Sequence, residues 1–301
     1  MTSVETQSPQ VWSGISPAKV NLYLAVTGKR ADGFHELVSL VSQVAWGDAM
    51  RVELSPENSE DALTVDHPDC PTDGSNLVLK AVKAFRAAYS ELPPVSIDLQ
   101  KRIPMGAGLG GGSSNASTCL NALNSLSGEP LSYEKLAELA AELGSDCPLF
   151  LKPGSTWMRG RGELLESVSS ELEKRISGMP IVLFHPPFSV ETPWAYTQLA
   201  ERGDYWEKEW AERDATLWNE DPERAINERI FNSFERPLKE KFLSYLALFQ
   251  RLTSLSIYPL ISGSGSACFF LDDGSIERNA VCDVIKDAWG SDSILAQSVL
   301  A

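Results

Sequence analysis

The chain has 301 residues, 43% of them hydrophobic, with 26 basic side chains against 41 acidic ones and a formal charge of −15. Such a length and composition build one large or two ordinary domains with real cores, and exclude a disordered chain. The acidity excludes a polyanion-binding surface for nucleic acid or anionic membranes, but leaves room for a small anionic ligand held by a few local groups.

Val20, Leu22, Leu24 and Val26 alternate with polar or small residues, which predicts a half-buried strand. Asp32-Gly33 then marks a turn. Two further strand-like runs follow, at 37–46 and 50–54, and residues 55–75 read as a polar loop. Helical spacing recurs over 76–89, and Val95, Ile97 and Leu99 alternate again as a strand. After a glycine-dense segment come two helices. One carries Ala116, Cys119, Leu120, Leu123 and Leu126 on one face, and the other spans about 132–143. In the second half, 181–184 and 267–271 read as strands. The Trp-rich, charged stretch 201–225 reads as a solvated helical excursion. Strands and helices mix without strict alternation, so the expected class is α+β.

No stretch reaches the roughly 20 apolar residues of a membrane span. The N-terminal residues show no secretory pattern. Cys70, Cys119, Cys147, Cys268 and Cys282 are scattered without CxxC spacing, and there are three histidines, so a zinc site is not expected. A cytoplasmic location is the expectation.

The most informative segment is Pro104, Met105, Gly106, Ala107, Gly108, Leu109, Gly110, Gly111, Gly112, Ser113, Ser114 and Asn115. Gly106, Gly108 and Gly111 satisfy a dinucleotide fingerprint, but a helix pair follows where that motif needs a strand and an acidic residue. No Gly-Lys-Ser/Thr ends it, so it is not a Walker A loop. A plain turn needs one or two glycines, and ordering five within seven residues costs backbone entropy. An anion nest uses all of them: amides point inward and a helix N-terminus follows. A triphosphate is the expected guest, with Lys101 adding a cation. Lys19, taken alone, reads as an ordinary strand lysine, and Asn21 shares its face. Asp146, taken alone, reads as a turn cap before Pro148.

Three segments in order resemble the GHMP kinases: Pro17-Ala-Lys-Val-Asn-Leu22 with Gly28–His35, the glycine loop, and Ser262-Gly-Ser-Gly-Ser-Ala267. Gly144-Ser-Asp-Cys-Pro148 agrees. The first segment is similar to the branch that phosphorylates a cytidine diphosphate-linked methylerythritol at its 2-hydroxyl in the non-mevalonate isoprenoid pathway. The resemblance implies a two-domain fold with the active site in the interdomain cleft. Residues 1–156 would form the ATP-binding domain, and 157–301 would contribute to the substrate site. It implies Asp146 as base and Lys19 as catalytic cation. Asn21, Phe34, His35, Thr192 and Tyr196 would bind substrate. Asn76, Lys101, residues 104–115, Gly263 and Ser264 would bind ATP. Phe34 stands where the family usually has Tyr; it keeps the stacking face and loses a hydroxyl. ATP and Mg²⁺ are the implied cofactors, and the expected state is a monomer or weak homodimer. Another GHMP small-molecule kinase and a non-catalytic nucleotide-binding relative remain the alternatives.

Overall fold

A computed structural model describes residues 10–221, 224–272, 274 and 277–301. The chain divides into two compact units that are interleaved along its length. One comprises the segment up to Pro17 with Gly47–Arg102 and Gly111–Leu151; the other comprises Ala18–Trp46, Ile103–Gly110 and Lys152–Ala301. The sequence-based division at 156/157 is a single cut, whereas here two long strands supply residues to both units. These are β1 (Val11–Lys29) and β2 (His35–Leu54). The predicted turn joins them: Arg30 N–H donates to Phe34 O at 2.8 Å, and Gly33 takes φ +88°.

Both strands depart from their sequence reading. Residues 18–26 of β1 are buried on both faces, so Lys19 and Asn21 are enclosed along with Val20 and Leu22. Alternation marked them as the solvent face, but a covered sheet encloses that face too. The runs at 37–46 and 50–54 form one strand, because Gly47 and Asp48 continue the extended backbone.

In the first unit, β2 pairs with β4 (Val95–Gln100) in antiparallel register, Val52 opposite Ile97. The predicted loop at 55–75 contains a short strand, β3 (Ala62–Val65), parallel to β4. Helix α1 (Leu77–Ala88) starts where Asn76 Oδ1 accepts from Val78 N–H at 2.9 Å. Helix α2 (Gly111–Leu126) begins five residues before its apolar face, directly at the glycine run. Residues 114–120 are all buried, so α2 is a central helix rather than an amphipathic surface one. Helix α3 (Tyr133–Leu143) is capped by Ser132. A short 3₁₀ turn, Cys147–Leu151, closes the unit over a core that includes Val52, Phe85, Ile97, Leu120 and Leu123.

The second unit continues through the hairpin β5 (Ser155–Gly160) and β6 (Leu164–Ser167), with β5 antiparallel to the start of β2. Then follow α4 (Ser170–Ile176), β7 (Pro180–Phe184), α5 (Thr192–Arg202), α6 (Lys208–Glu220), β8 (Phe231–Asn232), α7 (Glu235–Lys241), α8 (Leu243–Ser254), β9 (Leu260–Ile261), β10 (Cys268–Leu271), α9 (Arg278–Trp289) and β11 (Ile294–Val299). β8 pairs in parallel with β1, and the order β11–β7–β10–β9 makes an antiparallel sheet. The core gathers Leu22, Leu40, Trp157, Leu183 and Phe269. The Trp-rich stretch is mainly α6. Trp218 is buried, Trp206 lies 4.5 Å from the Phe231 ring, and Trp210 is exposed. Residues 222 and 223 of that stretch lie outside the described residues.

A Cβ at Gly47 would overlap the Ser16 carbonyl oxygen and sit 2.7 Å from its carbon. Backbone cannot yield as a flexible side chain does. Gly47→Ala is therefore expected to cost about 1–3 kcal/mol, the range of a typical overpacking change. Thermal denaturation checks this, at roughly 2–4 °C per kcal/mol for a domain of this size.

Candidate active site

The glycine loop is built by exhausting its carbonyls. Gly106, Gly108 and Gly110 take φ of +68°, +78° and +73°, while Ala107 and Leu109 between them are buried as anchors. Ala107 O accepts from Ala267 N–H at 3.0 Å, and Leu109 O accepts from Lys19 N–H at 3.0 Å. Gly108 O accepts from Ser262 Oγ at 3.1 Å. Three successive carbonyls thus face the protein. A Cβ at Gly108 would collide with Ser262 O and lie 2.9 Å from Gly265 O. The loop and the Ser262–Ser266 turn are therefore packed back to back, and glycine is what permits the approach.

Lys19 lies on the same seam. Its side chain is buried, and Nζ donates to Asn21 Oδ1 at 2.6 Å. Asn21 Nδ2 donates to Ser39 Oγ at 2.9 Å, and Ser39 Oγ donates to Tyr23 O at 2.6 Å. An amide acceptor orients an ammonium without cancelling its charge. Lys19 Nζ is 3.3 Å from where a Cβ on Gly263 would stand, a point also 3.2 Å from Gly108 O. The cation thus faces both glycine segments.

The expected base-reading residues also gather in the second unit. The His35 ring lies 4.6 Å from the Tyr196 ring, and Tyr196 meets Phe234 edge-on at 4.8 Å. Burial, with a smaller contribution from Lys29, holds the His35 imidazole below its ordinary pKa, which favours the neutral form. Its Nε2 is buried without a hydrogen-bond partner among the described residues. Phe34 is 53% exposed, with the Arg161 guanidinium 5.0 Å above its ring. Thr192 Oγ1 and Ser264 Oγ share a hydrogen bond of 2.7 Å, which joins the start of α5 to the Ser262–Ser266 turn.

In the first unit, Asp146 occupies the turn between α3 and the 3₁₀ segment. Ser117 Oγ of α2 donates to Cys147 O at 2.6 Å, which ties that turn to the helix that follows the loop. Among the described residues the Asp146 carboxylate accepts no hydrogen bond, so the capping role favoured by local sequence is not filled. The Ser114 hydroxyl, in the first turn of α2, is buried without a partner among the same residues.

Two expected nucleotide ligands have partners within the protein. The Lys101 ammonium is buried against Asp48, with Asn115 Oδ1 at 3.2 Å, so its charge is matched within the protein. Asn76 is the cap of α1, and its Nδ2 donates to Pro71 O at 2.6 Å. Spacing suggested Lys101 and the resemblance suggested Asn76, and neither could show these bonds.

Residues 76–154 match the model of the GHMP kinases N terminal domain. Over 261 residues the chain is 38% identical to the 4-diphosphocytidyl-2-C-methyl-D-erythritol kinase of Protochlamydia amoebophila, covering 87% of this chain and 84% of that one. It is 42% identical over 184 residues to the chloroplastic enzyme of that name from Oryza sativa subsp. japonica, covering 61% of this chain and 45% of the plant protein. A crystal structure of 4-(cytidine 5'-diphospho)-2C-methyl-D-erythritol kinase superposes with a TM-score of 0.77 at 31% identity, covering 96% of this chain and 100% of that one. The chain belongs to the 4-diphosphocytidyl-2-C-methyl-D-erythritol kinase family of the GHMP kinases. It is an ATP-dependent phosphotransferase with an alcohol acceptor, and its α+β architecture is the GHMP kinase fold. No described helix is long and apolar enough to cross a membrane.

Four residues on or beside the expected site carry no assigned role in the sequence reading. Arg161 comes from the β5–β6 hairpin, and Ser39 from a strand read as plain core. Ser266 Oγ meets His185 Nε2 at 2.9 Å behind the 262–266 turn. Each is an ordinary residue locally, and only the fold places it. A methyl group at Gly108 tests the seam: Gly108→Ala is expected to weaken ATP binding at least tenfold and to lower the melting temperature. Calorimetric titration and thermal denaturation check these outcomes.

Proposed function

We propose that the chain transfers the γ-phosphoryl of ATP to the 2-hydroxyl of 4-diphosphocytidyl-2-C-methyl-D-erythritol, as a step of the non-mevalonate isoprenoid pathway. The observation that carries this reading is Lys19. A buried ammonium on β1 faces both Gly108 and Gly263, and its own N–H holds the glycine loop. Phosphoryl transfer demands positioning and charge neutralisation more than covalent chemistry. In this reading the amides of 106–112 and the N-terminus of α2 hold the phosphates. Lys19 orients the acceptor hydroxyl and offsets charge as it develops. Asp146 takes the hydroxyl proton.

The substrate's base is assigned to Phe34 and His35. The exposed Phe34 face can stack a pyrimidine. A neutral imidazole offers one donor and one acceptor, and the unpartnered Nε2 of His35 is satisfied by a base edge. Tyr196 supports the imidazole, and Thr192 with Ser264 supplies hydroxyls beside the loop turn. Mg²⁺ would neutralise triphosphate charge. No group of three or more His, Cys, Asp or Glu among the described residues is arranged to hold a metal ion. The donor set, which includes the unpartnered Ser114 hydroxyl, fits an ion carried in on the nucleotide rather than an all-protein cage.

Kinetics with purified protein test the roles. Asp146→Asn is expected to lower kcat by about 10²–10⁴ with substrate affinity retained. Unchanged turnover would remove Asp146 as base. Phe34→Ala is expected to raise KM for the cytidylyl substrate far more than KM for ATP. Equal effects on both, or a preference for mevalonate over the cytidylyl substrate in the unaltered chain, would overturn the assignment.

A further inference from the structure

Asp48 lies just after Gly47 in β2 and is wholly buried. Its Oδ1 accepts from Arg102 N–H at 2.7 Å, on the last residue before the loop segment Ile103–Gly110. Its Oδ2 accepts from Asn115 Nδ2 at 2.9 Å, early in α2, where the chain emerges from the glycine run. The same Oδ2 pairs with the buried Lys101 ammonium, which also donates to Asn115 Oδ1 at 3.2 Å. Lys101 N–H is held in turn by Asp66 Oδ1 at 2.7 Å. One carboxylate therefore grips both stems of the loop.

We infer that Asp48 is a positioning residue for the nucleotide: it fixes the spacing of the two loop stems, and Lys101 and Asn115 serve that clamp rather than touch phosphate. A dry ion pair is a poor source of net stability, because both charges lose their hydration and an apolar pair can fill the same space. A fully satisfied polar network does hold one geometry among its members. A loop with five glycines in seven residues has little stiffness of its own, so its shape depends on how its ends are held. Gly47 holds Asp48 in register, since the backbone there lies directly against Ser16.

This inference rests on the reading that the loop holds the triphosphate, so its test measures ATP binding directly as well as turnover. In the full chain, Asp48→Asn keeps an acceptor for Arg102 N–H and leaves Lys101 buried without its counter-charge. ATP affinity, measured by calorimetry, is expected to fall at least tenfold and KM for ATP to rise in step. KM for the cytidylyl substrate should stay within twofold. The double variant Asp48→Asn with Lys101→Met strands no charge. It is expected to bind ATP at least threefold more tightly than the single variant, yet at least threefold more weakly than the unaltered chain. If the single variant does not fold, the double variant decides by its comparison with the unaltered chain. ATP binding unchanged or tightened in Asp48→Asn would overturn the inference, since Lys101 would then be a phosphate ligand that Asp48 restrains. Both KM values rising together would overturn it too, by making the network a support of the fold alone. An unaltered chain that binds ATP without phosphorylating the cytidylyl substrate would contradict the substrate reading and leave Asp48 to be judged by the titrations.

Discussion

Much of this site depends on one close approach: the glycine loop lies against the Ser262–Ser266 turn with no room for a side chain at Gly108. The contact works because the backbone on both sides is hydrogen-bonded. Ala107, Gly108 and Leu109 all give their carbonyls to the protein, one of them to the N–H of Lys19. Left-handed glycines at alternate positions are what allow the backbone to make this approach. The lysine that bonds the loop through its backbone presents its ammonium to the same seam.

Around that seam, several buried polar groups are oriented by neutral partners. Asn21 steers Lys19, Ser39 steers Asn21, and a backbone carbonyl holds Ser39. Thr192 and Ser264 share a bond, and His185 backs Ser266. Each is a neutral partner that holds geometry at small electrostatic cost. The charge-matched trio of Asp48, Lys101 and Asn115 is a different device, placed at the loop's stems. Net charge of −15 and affinity for anions are therefore compatible. The bulk charge is carried largely by exposed acidic side chains, while the Lys19 ammonium is enclosed.

The elements that local pattern alone can dictate were legible. Helices α1 and α3 begin at Asn76 and Ser132 because a side-chain oxygen there answers an orphan N–H. Strand β4 shows its alternation because only one of its faces is buried. Strand β1 misled for the converse reason: with both faces covered, its polar members look exposed in sequence and are not. Helix α2 begins at Gly111, slightly ahead of the Ser113 opening that its sequence suggests because glycine is a poor helix former.

By itself the sequence determined the chemical vocabulary of this kinase. A glycine run opening a helix, a lysine in an uncharged stretch, a Phe-His pair after a turn, and a second Gly-Ser segment are all local features. The glycine run by itself names an anion nest, while the roles expected of Lys19, Phe34 and His35 come from the resemblance to the GHMP kinases, since Lys19 taken alone reads as an ordinary strand lysine. The tertiary structure decided which partners those groups have. It set Lys19 against Gly108 and Gly263 and bound Thr192 to Ser264, while it turned Lys101 toward Asp48 and Asn76 into a helix cap. The physical reason is burial: the same ammonium or amide is a ligand or a strut according to which partner is within about 3 Å once water is excluded, and that distance spans residues far apart in the chain.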